Sequence, residues 1–204
     1  MKLSKRITRI GIALIIILAA LSLLNANWLA PTPKGKPKLI AHRGMYHLYD
    51  KRAAFGRDTC TARHIKPPHH DVFENTVKSM KMAVGYGADM VEVDVAPTKD
   101  GRMVLFHDWG VDCRTEGKGD TRDLTLAELQ ALDVGYGYSA DSGKTFPLRG
   151  KGVGQIPTVE EGLAALPVHP ILFNFKSKSR KEAEQLYAIL KASGRDSAKI
   201  GDAF

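Results

Sequence analysis

The chain has 204 residues, with 30 Lys and Arg against 22 Asp and Glu, and a formal net charge of +8 at pH 7. Seven of the basic side chains (Lys2, Lys5, Arg6, Arg9, Lys34, Lys36 and Lys38) fall in the first 38 residues without one acid, leaving 23 basic against 22 acidic over the rest. The excess is thus local to one end, and it is no sign of a nucleic-acid partner.

That end reads as a targeting segment. Lys2, Lys5, Arg6 and Arg9 precede an uncharged apolar run from Ile10 to Leu24, the basic n-region and apolar h-region of an export signal. No clear small-x-small cleavage site follows: Ala26 has Leu24 two places before it, and Ala30 has Trp28. Residues 1–30 are therefore expected to be an uncleaved signal anchor, with Trp28 at the membrane interface and the N-terminus held in the cytoplasm by its basic flank. The domain beyond would be exported, periplasmic or extracytoplasmic; a cleaved, secreted form is the alternative. Residues 31–38, with three Pro and three Lys, suit an extended linker.

Beyond the linker, short apolar runs alternate with helical periodicity, the pattern of parallel strands joined by helices. Lys38–Ala41 is expected as a first strand, followed by a long polar loop over 45–73. A helix should run from Glu74 to a stop at Gly85 and Gly87, with strands over Met90–Val95 and Met103–Phe106. Leu124–Leu132 is a short helix with Thr125 and Glu128 placed for a capping box. Pro157–Leu166 is a helix with Pro at its start, Ile171–Phe175 a fourth strand, and Lys181–Ser193 an amphipathic helix. AKIGDAF looks like the approach to a fifth strand. Four βα units are fewer than the eight of a barrel of about 250 residues, and 166 residues follow the leader. The expectation is the first part of a TIM-like barrel, truncated; a small, complete open α/β sheet is the alternative. Cys60 would follow strand one and Cys113 strand three, so their loops share a face of such a barrel. A bridge between them and two independent thiols both remain open, and export permits the bridge.

The chemistry gathers at strand ends. Glu92 and Asp94 are one residue apart in a strand, so both carboxylates point to one side, as a hard cation such as Mg2+ or Ca2+ requires. His42 and His107 each end a strand beside a charged residue, Arg43 and Asp108, and can act as proton donor and acceptor near neutral pH. Arg43 offers a fork for phosphate, and Lys176, ending the fourth strand, a second positive charge. His69 and His70 read as solvated loop residues, and His47 and His64 carry no assignment. The set suits an anionic phosphoester.

HRG, ENT, GADMVEVDV, TKDG and FHD, in that order, resemble the glycerophosphodiester phosphodiesterase family from about Leu39 to Ser193, with IPTVEEGL before the fourth strand. The resemblance implies a TIM-like barrel that uses a divalent metal to hydrolyse glycerophosphodiesters to glycerol 3-phosphate and an alcohol. It implies His42 and His107 as the acid/base pair, Glu92 and Asp94 as metal ligands, Arg43 on the phosphate, and Glu74 on metal or substrate glycerol. Where the family often carries a Glu ligand on the fourth strand, this chain has Asn174, whose amide oxygen can still ligate but brings no charge. Lost barrel strands are the second departure. A phospholipase acting on intact or lyso-phospholipid, and an inactive remnant, are the rival readings.

Overall fold

The protein is described by a computed structural model over residues 5–26, 30–31, 34–50, 56 and 59–203. Lys2 and Trp28 of the leader lie outside the described residues, as do residues 32–33 of the linker and part of the 45–73 loop. The chain divides into two units, Met1–Pro37 and Lys38–Phe204.

In the first unit, α1 (Lys5–Leu24) runs for 20 residues with no buried side chain. At 1.5 Å per residue it is about 30 Å long, close to the hydrocarbon thickness of a bilayer. Among the described residues it is the helix long and apolar enough to cross a membrane.

In the second unit, β1 (Ile40–His42) and β4 (Ile171–Phe175) pair in parallel with the two edges of β2 (Met90–Pro97). One face of this sheet is apolar. Val91, Val93, Val95, Ile171 and Phe173 pack on Met80 and Ala83 of α2 (Val77–Gly85), Val159 and Leu163 of α4 (Val159–Ala165), and Leu186 and Leu190 of α5 (Arg180–Ala192). Polar residues sharpen the helix starts: Thr76 with Ser79, and Thr158 with Glu161, exchange hydrogen bonds as capping boxes. Pro157 thus precedes the cap of α4 and does not open the helix; its carbonyl accepts from the Leu105 N–H instead.

β3 (Met103–Leu105) departs from expectation. It runs antiparallel to the end of β2, Val95 facing Leu105 and Pro97 facing Met103. The five residues from Thr98 to Arg102 are enough for a hairpin, closed by the Thr98 N–H on the Arg102 carbonyl, whereas a parallel return needs a crossover of a dozen or more residues. Four parallel βα units are therefore corrected to three parallel strands and a hairpin strand. After the short α6 (Ser197–Ile200), Ala203 pairs in parallel with Leu172, its N–H on the Ile171 carbonyl and its carbonyl on the Phe173 N–H.

A second core lies beneath the long excursions at 45–73 and 107–156. Ile65, Phe73, Phe106, Val111, Tyr138, Leu148 and Ile156 pack together with Leu129 of α3 (Leu126–Ala131), whose start Thr125 and Glu128 cap. Cys60 and Cys113 join the two excursions as a disulfide with 5.4 Å between Cα atoms and 53 residues of separation. Closing a loop of that length restricts the unfolded chain by an amount worth about 4 kcal/mol in the chain-entropy account. His47 is buried, stacked on His70 with ring centroids 4.3 Å apart and set edge-on to Tyr138. The expectation that His70 is a solvated loop residue is corrected by this stacking, which half-buries it.

Two consequences are measurable. Gly44 has φ +70°, and a Cβ there would stand 2.6 Å from Ser79 Oγ and 2.9 Å from the Ser79 carbonyl carbon. Gly44→Ala should cost about 1–3 kcal/mol in denaturant unfolding, while Gly85→Ala, with open space around it, should be neutral or slightly stabilising. Burial first, then the neighbouring His70, pushes the His47 pKa down to about 4. The fold keeps His47 neutral while the unfolded chain takes up a proton near pH 6.5. Stability is therefore intact above about pH 6.5 and declines as the pH falls toward 4. Denaturant midpoints at pH 7.5 and 5 should show this drop, and His47→Phe should reduce it.

Candidate active site

Register builds the site. Pairing aligns His42 with Glu92, and Asp94 with Asn174, and paired residues of a sheet share a face. The face opposite the helices therefore carries His42, Glu92, Asp94 and Asn174. Glu92 and Asp94 are buried, while His42 and Asn174 are exposed. The Phe106 N–H bonds the Asp94 carbonyl, which sets His107 at the same end of the sheet.

Two loops fold onto these carboxylates in left-handed backbone conformations that are rare outside glycine. Arg43 has φ 60° and Asn75 φ 57°. The Arg43 N–H donates to Glu92 Oε2 at 2.8 Å, and the Asn75 N–H to the Arg43 carbonyl at 3.0 Å. Asn75 also brackets Asp94, its Nδ2 on Oδ2 at 3.0 Å and its Oδ1 accepting from the Asp94 N–H at 2.9 Å. These bonds hold backbone that would otherwise relax at a gain of about 1–3 kcal/mol per residue.

Buried acids are matched by cations. Glu74 Oε1 receives Arg43 Nη1 at 2.9 Å and lies 3.2 Å from Arg114 Nη2, while Oε2 accepts from the Tyr49 hydroxyl at 2.8 Å. Burial opposes the charge on Glu74, but Arg114, Arg43 and these hydrogen bonds outweigh it and hold the carboxyl below its ordinary range. Arg43 Nε lies 3.3 Å from Asp94 Oδ2, in ion-pair range without hydrogen-bond alignment. Lys176 Nζ stands 3.8 Å from Asp94 Oδ1; burial lowers its pKa, and Asp94 opposes that shift. Asp108 lies between His107 Nδ1, 2.5 Å from Oδ1, and Arg114 Nε, 2.8 Å from Oδ2. Burial again disfavours its charge, and Arg114 with His107 overrides burial, so its carboxyl ionises far below the usual range.

Every residue singled out from the sequence is at this end of the sheet except the cysteines, which lie in the excursions. Their engagements differ from expectation in two places. Glu74 is committed to Arg43, Arg114 and Tyr49, and Asn174 turns its amide nitrogen, not its oxygen, to Asp94 Oδ1 at 3.0 Å. Among the described residues no three His, Cys, Asp or Glu side chains are grouped closely enough for a metal ion. Charge nevertheless favours a cation here: Glu74, Glu92, Asp94 and Asp108 exceed Arg43, Arg114 and Lys176 by one. Glu92 and Asp94, hard oxygen donors on one face, fit a divalent ion. Arg114, Tyr49 and Asn75 are partners the motifs did not single out. Asn75 lies inside ENT, whereas Arg114 has no sequence signal beyond its place next to Cys113.

The family profile described as "Glycerophosphoryl diester phosphodiesterase family" matches residues 42–200. A glycerophosphodiester phosphodiesterase of Caldanaerobacter subterraneus is 38% identical over 53% of this chain and 41% of its own length. Human glycerophosphodiester phosphodiesterase 1 is 33% identical over 64% of this chain and 38% of its own. Among solved structures, an Oleispira antarctica phosphodiesterase in complex with the product sn-glycerol-3-phosphate is similar at 27% identity and a TM-score of 0.51, over 76% of this chain and 52% of that one. The glycerophosphoryl diester phosphodiesterase domain of a Mycobacterium tuberculosis protein shares the fold, with a TM-score of 0.57 at 23% identity over 78% and 50%. The chain spans about two fifths or less of the curated relatives it matches and about half of these structures. With a profile match across most of its length and the His, Arg, Glu and Asp motifs gathered at one end of a mixed α/β sheet, the chain belongs to the glycerophosphoryl diester phosphodiesterase family.

Proposed function

We propose that this chain carries the first part of a TIM-like barrel that hydrolyses glycerophosphodiesters to glycerol 3-phosphate and an alcohol, held at a membrane by α1 with the domain exported. The observation that carries the reading is the convergence of His42, Arg43, Glu92, Asp94, His107 and Lys176 at one end of the sheet, in a chain similar to a phosphodiesterase bound to sn-glycerol-3-phosphate. The barrel itself is supported by the partial coverage of its solved relatives and by the parallel pairing of Ala203 with Leu172.

Arg43 and Lys176 bring positive charge to the phosphate, Arg43 through the guanidinium donors that Glu74 and Asp94 do not occupy. Asp108 accepts the Nδ1 proton of His107, which leaves Nε2 as the atom that gives or takes a proton at the scissile ester. His42, exposed on the same face, is placed to complete the acid/base pair. Glu92 and Asp94 would hold a divalent cation once Asp94 gives up part of its contacts with Asn75, Asn174, Arg43 and Lys176, and Glu74 and Asn174 would join as ligands only after leaving their present partners. Bound there, Mg2+ or Ca2+ would supply charge to offset the negative charge growing on the phosphoryl oxygens.

The test is release of glycerol 3-phosphate from glycerophosphocholine by the detergent-solubilised chain. His42→Ala and His107→Ala should each lower kcat by about 100-fold or more. Turnover of lysophospholipid in preference to glycerophosphocholine would favour the phospholipase reading, and turnover of neither by the folded chain would defeat both. Asn174→Glu places a second carboxylate against Asp94, so it should destabilise the metal-free chain and tighten Mg2+ or Ca2+ binding by calorimetry. Equal affinity in the two proteins would remove position 174 from the ligand set.

A further inference from the structure

We propose that Arg114, clamped by the Cys60–Cys113 disulfide, is the positioning residue that fixes both Glu74 and the His107–Asp108 pair; this rests on the acid/base role proposed for His107. Arg114 touches no exposed surface of the site. Its side chain is 3% exposed; it donates to two hydroxyls and lies in ion-pair range of two carboxylates. Nε stands 2.8 Å from Asp108 Oδ2 without hydrogen-bond alignment, Nη2 lies 3.2 Å from Glu74 and donates to Thr61 Oγ1 at 2.9 Å, and Nη1 donates to the Tyr138 hydroxyl at 2.7 Å.

The guanidinium therefore joins the two halves of the site. Through Asp108 it sets the imidazole of His107, and through Glu74 it sets Arg43. The guanidinium brings its charge to both carboxylates at once and fixes their separation, whereas a lysine ammonium would keep the charge beside them with a looser separation.

What holds Arg114 is next to it in the chain. The bridge 60–113 and the hydrogen bond 61–114 are successive ties between the same two excursions. On its other side the Arg114 carbonyl accepts from the Gly137 N–H, and Gly137 lies so close to the Cys113 carbonyl that a Cβ at 137 would stand 1.9 Å from that oxygen. Backbone on both flanks is thus fixed by covalent and close-packed contacts, and the side chain transmits that position to His107. Opening the bridge takes two electrons and two protons. Dithiothreitol can supply them while closing to its own cyclic disulfide, and the two thiols then leave the 60–61 segment free to move from 113–114.

Two readouts on the full chain test this, one of them independent of turnover. The first is the far-downfield imidazole proton of the His107 Nδ1–Asp108 hydrogen bond in the 1H spectrum, assigned by its loss in His107→Gln. It should be present in the parent, lost in Arg114→Gln and in dithiothreitol-treated parent, and retained in Arg114→Lys. The second is glycerophosphocholine hydrolysis. Arg114→Gln should lower kcat by about 100-fold with KM changed less than about threefold, and Arg114→Lys should recover part of it. Cys60→Ser/Cys113→Ser should lower kcat to the level of the reduced parent and no longer respond to dithiothreitol. If Arg114→Gln fails to fold, the cysteine double variant and the reduced parent decide the matter by the same two readouts. An unchanged resonance and unchanged kcat in these proteins would overturn the proposal while leaving the hydrolase reading intact. A resonance that behaves as expected in a chain without hydrolysis would do the reverse.

Discussion

Four carboxylates gathered at one end of a sheet, with Glu74, Glu92 and Asp94 buried, are the constraint to which the rest of the domain conforms. Isolated in a low-dielectric interior, each would protonate or disrupt the fold, since removing a carboxylate from water without partners costs many kcal/mol. The chain answers with cations drawn from three different places: Arg43 from the end of β1, Lys176 from the end of β4 and Arg114 from an excursion. Amides complete the set, with Asn75 and Asn174 both on Asp94. Remove any one element and an acid loses its partner.

The same constraint explains what could be anticipated from the sequence. Glu92 and Asp94 on one face follow from strand alternation alone, and His42 and His107 from their places at the ends of apolar runs. Both are local properties. Thr125 with Glu128, and Thr158 with Glu161, signal helix starts for the same reason: the capping bond spans three residues. The direction of β3 was not legible in its own residues, because Met103–Leu105 fits a parallel or antiparallel neighbour equally. It was legible in the five-residue connection before it, too short for a crossover. Arg114 was invisible because three of its four partners are 40, 24 and 53 residues away at Glu74, Tyr138 and Thr61, and the near one, Asp108, is tied to it by no regular element. No pattern of neighbouring residues encodes a fork that closes only when two loops meet. His70 failed for the same reason, its stacking partner His47 lying across the excursion.

Membership of the family and the geometry of this chain meet at a definite place. The motifs HRG, ENT, EVD and FHD are the contacts just described: Gly44 lets β1 approach Ser79, Asn75 brackets Asp94, and Asp108 holds His107. Asn174 donates its amide N–H to Asp94, which keeps that acid hydrogen-bonded without adding a further negative charge at the sheet end.

The left-handed backbone at Arg43 and Asn75 has a bearing on recognition as well as on stability. Both residues are held in that state by partners within the protein, Glu92 on one and the Arg43 carbonyl on the other. The conformational cost is met on folding, before any ligand arrives. An incoming phosphate would then meet a guanidinium whose backbone has little freedom left to lose, so the entropy of association should be small for this part of the molecule. Selectivity among anions would accordingly come from shape, since a rigid fork cannot adjust to a poorly matched oxygen spacing.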